Sequence, residues 1–280
     1  MPSPRAAAKR LAAAGLSLAA PTLFKRPNLG QHHAYQRFVI LSYQRSGSTL
    51  LNDLLNHHPH IVCYSEVLCG PFPMFYLDGF NHHAKGLKRY RRWAPDHFLN
   101  RLVFGGYTPD TQAVGFKLFP DHYAAYQDAF DRTLAQHPFK FIHLRRHNRL
   151  ATYLSLARAE QTQVWSSNDQ QAPQAEQAAP LSIRLDPAAC LAFFQQREAE
   201  EHDFEQCFAG HPLLRLTYEE LAEQREPTLH RVLEFLGLEP MPLETTLERQ
   251  RSRSLGDAIA NADELRDAFA GTPYAAYLDG

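Results

Sequence analysis

Between Phe38 and Leu55 the sequence changes character twice. Phe38 to Leu41 is a short apolar run that reads as a buried strand. A polar turn, Ser42 to Gly47, follows, and from Ser48 to Leu55 the apolar residues recur at helical spacing. A strand that feeds a small-residue turn and then a helix start has one electrostatic consequence. The free N–H groups of the turn and the positive end of the helix dipole converge on one point. Arg45, Ser46, Ser48 and Thr49 add side-chain donors there. The loop is expected to hold a phosphate or a chemical relative of one.

It is not a nucleoside triphosphatase loop of the Walker A kind. That motif begins on glycine and places lysine directly before its Ser/Thr. Ser42 and Ser48 stand at those positions, and the cation of the turn is Arg45. With no lysine there and no evident acidic partner for magnesium, triphosphate hydrolysis is poorly served.

Strand-like runs then alternate with helical ones. Ile61–Tyr64, Ala113–Phe119, Phe139–Leu144 and Leu213–Leu216 read as strands. Helices are expected over 121–136, from Arg149 to about Glu160, from Asp186 to Cys207, over 227–236 and over 261–269. Asp186-Pro187 is a cap followed by a first-turn proline, and Gly237 stops the helix that ends at Leu236. Thr217-Tyr-Glu-Glu220 and Asn261-Ala-Asp-Glu264 both have capping-box spacing. The alternation predicts an α/β, P-loop-like three-layer fold: a central, mostly parallel sheet flanked by helices. Residues 1–36 are expected to form an N-terminal helical arm and 37–280 one domain. The polar stretch 166–180 reads as a flexible insert, and Gly70 to Arg92 as an irregular segment on the rim of a site.

Ligands of open parallel sheets bind beyond the carboxyl ends of the strands. Arg45, Glu66, Lys117, Arg145, Arg146 and Tyr218 all fall at or just past such ends. Several cations with one carboxylate suit a polyanionic substrate and a single general base. The net charge of −1 gives no global field for nucleic acid or a membrane surface, so the anion must be met by a local pocket. The four cysteines have no zinc-ribbon or C-x-x-C spacing, which fits a reduced protein. His57-His58-Pro59-His60 has no second ligand cluster to complete a metal site, and no metal is expected. The apolar part of the N-terminus, Leu11 to Ala20, is too short to span a bilayer. No transmembrane segment is predicted, and the location expected is cytoplasmic.

Arg145-Arg-His-Asn-Arg149 runs into the helix that carries Ser155, a second place where guanidinium groups and a hydroxyl can grip a phosphate. Two anion sites on neighbouring βα units fit a nucleotide phosphorylated on both sides of its ribose. Here the chain resembles the sulfotransferases that use 3′-phosphoadenosine 5′-phosphosulfate (PAPS), in particular their bacterial carbohydrate- and glycolipid-acting branch. Arg45-Ser-Gly-Ser-Thr-Leu50 is similar to that family's 5′-phosphosulfate loop, and Leu144-Arg-Arg with Ser155 to its 3′-phosphate motif. Either Arg145 or Arg146 answers to the motif's arginine; Arg146 is preferred, because that branch often begins the motif with a double arginine.

The resemblance implies PAPS as co-substrate, bound by Arg45, Ser46, Gly47, Ser48, Thr49, Leu50, Arg146, Ser155, Tyr218 and Arg253. His58 to Glu66 resembles the segment that ends in the catalytic glutamate of tyrosylprotein sulfotransferases, which makes Glu66 the expected base. Arg45 and Lys117 are the cations expected at the leaving group. The tail Arg249 to Leu255, with Ile259-Ala-Asn261, resembles bacterial enzymes acting on glycolipids. The acceptor is then a hydroxyl on a glycan or glycolipid before a peptide tyrosine or a phenol. Tyr76, Phe80, Trp93 and Trp165 are aromatic candidates for stacking on sugar. The sequence leaves a homodimer open. A P-loop kinase, or a non-catalytic nucleotide- or glycan-binding module on the same fold, are the alternatives.

Overall fold

The computed structural model describes residues 31–71, 73–77, 80–83, 87–162, 182–245 and 254–279. The insert at 166–180, Trp165, Arg253 and the arm up to residue 30 lie outside the described residues. Of that expected arm the structure describes residues 31–36, where His32 pairs with Tyr107 in an antiparallel bridge and a strand begins at Gln36.

Five strands form one parallel sheet: β1 (Gln36–Leu41), β2 (Ile61–Tyr64), β5 (Ala113–Leu118), β6 (Phe139–Arg145) and β7 (Leu213–Thr217). Their spatial order is β2-β5-β1-β6-β7, with β1 in the centre. The chain moves to one side of β1 first and to the other side later. The loop after β1 therefore opens at the topological switch point, where such sheets bind ligands.

The period of two in β1 sorts its side chains between two cores. Phe38 and Ile40 pack with Leu51, Leu54 and Leu55 of α1 (Ser48–Asn56). Val39 and Leu41 point the other way and join an aromatic core on the opposite face. The first face is also covered by Val232, Leu233 and Leu236 of a helix over Arg225–Leu236. The second face is covered by Tyr123 and Phe130 of a helix over Pro120–Gln136, and by Phe204 of a helix over Pro187–Gln206. Each fully buried leucine or phenylalanine contributes about 1.5–3 kcal/mol, so β1 is fixed in register by both layers. Gly115 of β5 lets Phe38 lie flat against the sheet, since a Cβ there would stand 2.6 Å from the Phe38 ring. Among the described residues, no helix is long and apolar enough to cross a membrane.

The other α-helices of the described residues are, in chain order, α2 (Lys88–Trp93), α3 (Pro95–Phe98), α4 (Pro120–Gln136), α5 (Arg149–Thr162), α6 (Pro187–Gln206), α7 (Tyr218–Glu223), α8 (Arg225–Leu236), α9 (Leu255–Ala258) and α10 (Ala262–Phe269). The stretch 70–92 is not irregular throughout. It contains a two-stranded antiparallel sheet, β3 (Met74–Leu77) with β4 (Phe80–His83), and the start of α2. Asn261 is a second correction. Its side chain makes no cap bond to α10 and pairs instead with both backbone groups of Leu185, stitching the C-terminal segment to the start of α6.

Candidate active site

The loop between β1 and α1 is built around two left-handed residues, Arg45 at φ 64° and Gly47 at φ 87°. The side chains inside it are tied down. Ser42 and Ser46 share a hydrogen bond, and Ser46 Oγ donates to the Tyr43 carbonyl at 2.7 Å. At the start of α1 there is no side-chain cap and no acid in the first turn. That end of the helix dipole is therefore left for an external anion. Gly47 has a second constraint: a Cβ there would lie 2.3 Å from the Tyr218 ring.

Tyr218 is brought to that contact by Thr217–Glu220, in which each residue has a separate task. Thr217 and Glu220 close the predicted capping box on α7. Glu219 accepts hydrogen bonds from the backbone N–H groups of His147 and Asn148, at 3.0 and 3.1 Å. That clamp holds the end of β6 beside α7, and the Arg146 guanidinium lies 4.7 Å from the centre of the Tyr218 ring. Arg146 Nη1 also donates to the Arg45 carbonyl at 3.4 Å.

Arg45 Nε donates to Ser155 Oγ at 2.7 Å. Burial, and then the charge of Arg146, lowers the Arg45 pKa from its ordinary value. Two guanidinium groups kept this close, one of them desolvated, form a site that gains from an anion between them. The two regions expected from the sequence to bind anions thus share a wall, with Arg45 turned toward α5. Arg149 leaves the group: it is paired with Glu198 and Glu201 and donates to the Tyr277 hydroxyl.

On the other side of the loop stand Glu66 and Lys117. Asn52 of α1 donates to the carbonyls of Cys63 and Tyr64, and Asn56 to that of Cys63, which fixes the end of β2. Beyond it, the Glu66 carbonyl accepts from the N–H groups of Cys69 and Met74, and Arg91 binds the carbonyls of Val67 and Gly70. The segment carrying Glu66 is therefore held at both ends. Lys117, 1% exposed on β5, reaches Glu66 Oε1 and Thr49 Oγ1, each at 3.3 Å. Ser48 is buried at the first position of α1, and Leu50 packs against the core below it.

The family model of the sulfotransferases matches residues 37–242, spanning the loop, Glu66, Lys117, Arg146, Ser155 and Tyr218. The chain belongs to the sulfotransferase family. It is an enzyme of sulfuryl transfer. This sulfotransferase is 30% identical over 247 residues to Nodulation protein H of Rhizobium tropici, covering 86% of this chain and 92% of that protein. It is 27% identical over 252 residues to Nodulation protein H of Rhizobium meliloti strain 1021, covering 87% and 95%. Among solved structures it is similar to a sulfotransferase from Alicyclobacillus acidocaldarius, with a TM-score of 0.47, 16% identity, and 88% and 94% of the two chains covered.

His122 is a neighbour of this sulfotransferase's site that sequence reasoning missed. It lies in the first turn of α4, 3% exposed and stacked on Phe119. Burial lowers its pKa, outweighing Asp121 and Glu66, while Arg91 and Lys117 push the same way as burial. The available signal was position: it follows the end of β5, the strand next to β2. The histidines of the 57–60 run are engaged locally. His57 contacts the Asp53 carbonyl, His58 accepts from the His60 N–H, and His60 contacts the Asp110 carbonyl. Of the aromatic candidates, Trp93 is exposed with Arg89 over its ring, and Tyr76 and Phe80 fall on β3 and β4.

Proposed function

We propose that the enzyme moves a sulfuryl group from PAPS to a hydroxyl on a carbohydrate or glycolipid, with Glu66 as general base. The observation that carries this is the meeting of Glu66, Lys117 and Thr49 on one side of the anion loop, with Arg45, Arg146, Ser155 and Tyr218 on the other. The nucleotide would lie across the loop. Arg146 and Ser155 take its 3′-phosphate, Tyr218 lines its path, and Ser46 to Leu50 with the start of α1 hold the phosphosulfate. Arg45, turned toward Ser155, acts on the nucleotide side of the loop.

The reaction is an in-line displacement at sulfur. The acceptor oxygen forms the new S–O bond as the bond from sulfur to the phosphate oxygen breaks, and Glu66 takes the hydroxyl proton. Negative charge grows on the leaving oxygen. Lys117 and the N–H groups of the loop are fixed before the reaction begins, so they stabilise that charge with little reorganisation. The resemblance of the tail to glycolipid-acting enzymes supports the acceptor class. Incubating the enzyme with PAPS carrying radiolabelled sulfur and a panel of glycans, glycolipids, tyrosyl peptides and phenols tests it. Label on glycans or glycolipids is expected; label confined to phenols or peptides would overturn the acceptor assignment.

A further inference from the structure

Glu66, Cys69 and His122 each offer one ligand atom to the same point, and these atoms all lie within 4.8 Å of one another. The cluster joins two elements. Cys69 is turned back on Glu66 by its N–H, which donates to the Glu66 carbonyl at 3.0 Å, and His122 arrives from α4. The His122 ring is almost wholly buried, and its Nδ1 has no hydrogen-bond partner among the described residues. Its Nε2 stands 3.7 Å from Asp121 Oδ2, beyond hydrogen-bonding distance. The sulfuryl transfer derived above leaves Cys69 without a task.

Carboxylate, thiolate and imidazole together are a zinc donor set. Bonds of about 2.0–2.3 Å to a tetrahedral ion place neighbouring ligand atoms roughly 3.5 Å apart, so modest side-chain rotation closes the cluster. Lys117 and Arg91 stand beside it as cations and oppose a hard ion such as magnesium. A thiophilic dication that turns Cys69 into a bound thiolate brings its own compensation, because Glu66 and the thiolate together neutralise it.

We propose that Glu66, Cys69 and His122 form an inhibitory zinc site, in which the metal occupies the carboxylate that accepts the acceptor's proton. The inhibition rests on the reading of Glu66 as base; the metal site itself does not. Binding releases the Cys69 thiol proton to solvent and involves no redox step.

The test uses the full chain freed of metal and titrated with cobalt(II). Wild type is expected to develop thiolate-to-cobalt absorption that zinc abolishes. Cys69→Ser should lose that absorption, and His122→Gln should weaken binding by at least about tenfold. No such absorption in wild type, or equal absorption in Cys69→Ser, overturns the site. In the transfer assay, Cys69→Ser should keep its metal-free turnover and need at least about tenfold more zinc for half-inhibition. Cobalt binding at Cys69 with wild-type transfer untouched by zinc would overturn the inhibition, and with it the role of Glu66, while leaving the metal site standing.

Discussion

Lys117 Nζ stands 3.3 Å from Glu66 Oε1, and the two arrive from neighbouring parallel strands. Lys117 is buried and also meets Thr49 at the start of α1, so one cation links the proposed base to the loop proposed to hold the phosphosulfate. Lys117→Met preserves most of the side-chain volume and removes the charge. It is predicted to lower kcat by about 100- to 1000-fold, the scale for a donor aimed at developing charge. The KM for PAPS should move much less. Steady-state kinetics separate these effects; a loss confined to KM would make Lys117 a binding residue.

Arg146 lies over Tyr218 and against the backbone of Arg45. If it grips the 3′-phosphate, Arg146→Ala removes a charged hydrogen bond of about 1.5–3 kcal/mol, a loss in affinity of about 10- to 150-fold. The same variant should bind 3′-phosphorylated and 3′-dephosphorylated nucleotides alike. Calorimetry with both nucleotides reads this directly, and a preference left unchanged would remove Arg146 from that role.

Gly47 is left-handed, and its space is already taken by the Tyr218 ring. Gly47→Ala is predicted to cost about 1–2 kcal/mol from the backbone alone, with a further loss from the overlap. Thermal unfolding of Gly47→Ala, Tyr218→Ala and the double variant separates the two. The double variant should lose less than the sum of the single ones, because removing the ring relieves the overlap.

Behind the site, His143 is fully buried with Nδ1 2.7 Å from Glu205 Oε2, and Arg215 holds the other oxygen at 2.6 Å. Burial lowers the pKa of His143, and its Nε2, buried with no hydrogen-bond partner among the described residues, suits the lone pair of a neutral ring. Glu205 is raised by burial, but hydrogen bonds from Arg215 and His143 outweigh this and hold it below its ordinary range. Groups depressed in the folded state are protonated first in the unfolded chain, so their stabilisation is lost as pH falls. For His143 the loss begins below its ordinary value of 6.5, and for Glu205 below 4.5. Melting temperature should therefore fall in a first phase below the former and a second below the latter. His143→Gln should shrink the first phase, to which His122 also contributes. A melting temperature constant from neutral pH down to the carboxylate range would contradict this account.

The strands of the large sheet were legible because each is a short apolar run next to a helical pattern, and Thr217–Glu220 announced its cap by spacing alone. The hairpin of β3 and β4 falls inside a stretch whose composition reads as irregular rim. Yet Asp78-Gly79 between two aromatic runs is the two-residue hairpin signal that finds it. Asn261 looked like a cap because the same residue type serves both caps and long-range backbone pairing; only the neighbourhood of Leu185 decides. The loop residues and Glu66 lie close in sequence, which made that half of the candidate site open to proposal from local pattern. The contact between Arg45 and Ser155 spans 110 residues, and His122 meets Glu66 through the packing of α4. Neither relation leaves a local pattern.

In the proposed mechanism this enzyme transfers sulfuryl from PAPS with Glu66 taking the acceptor proton. The most direct measurement compares wild type with Glu66→Gln for transfer of radiolabelled sulfur to the best acceptor, with nucleotide affinity measured on the same samples by calorimetry. Glu66→Gln should lose transfer by at least about 100-fold while its nucleotide affinity stays within about threefold of wild type. Transfer at the wild-type rate in Glu66→Gln, with nucleotide bound normally, would contradict the account.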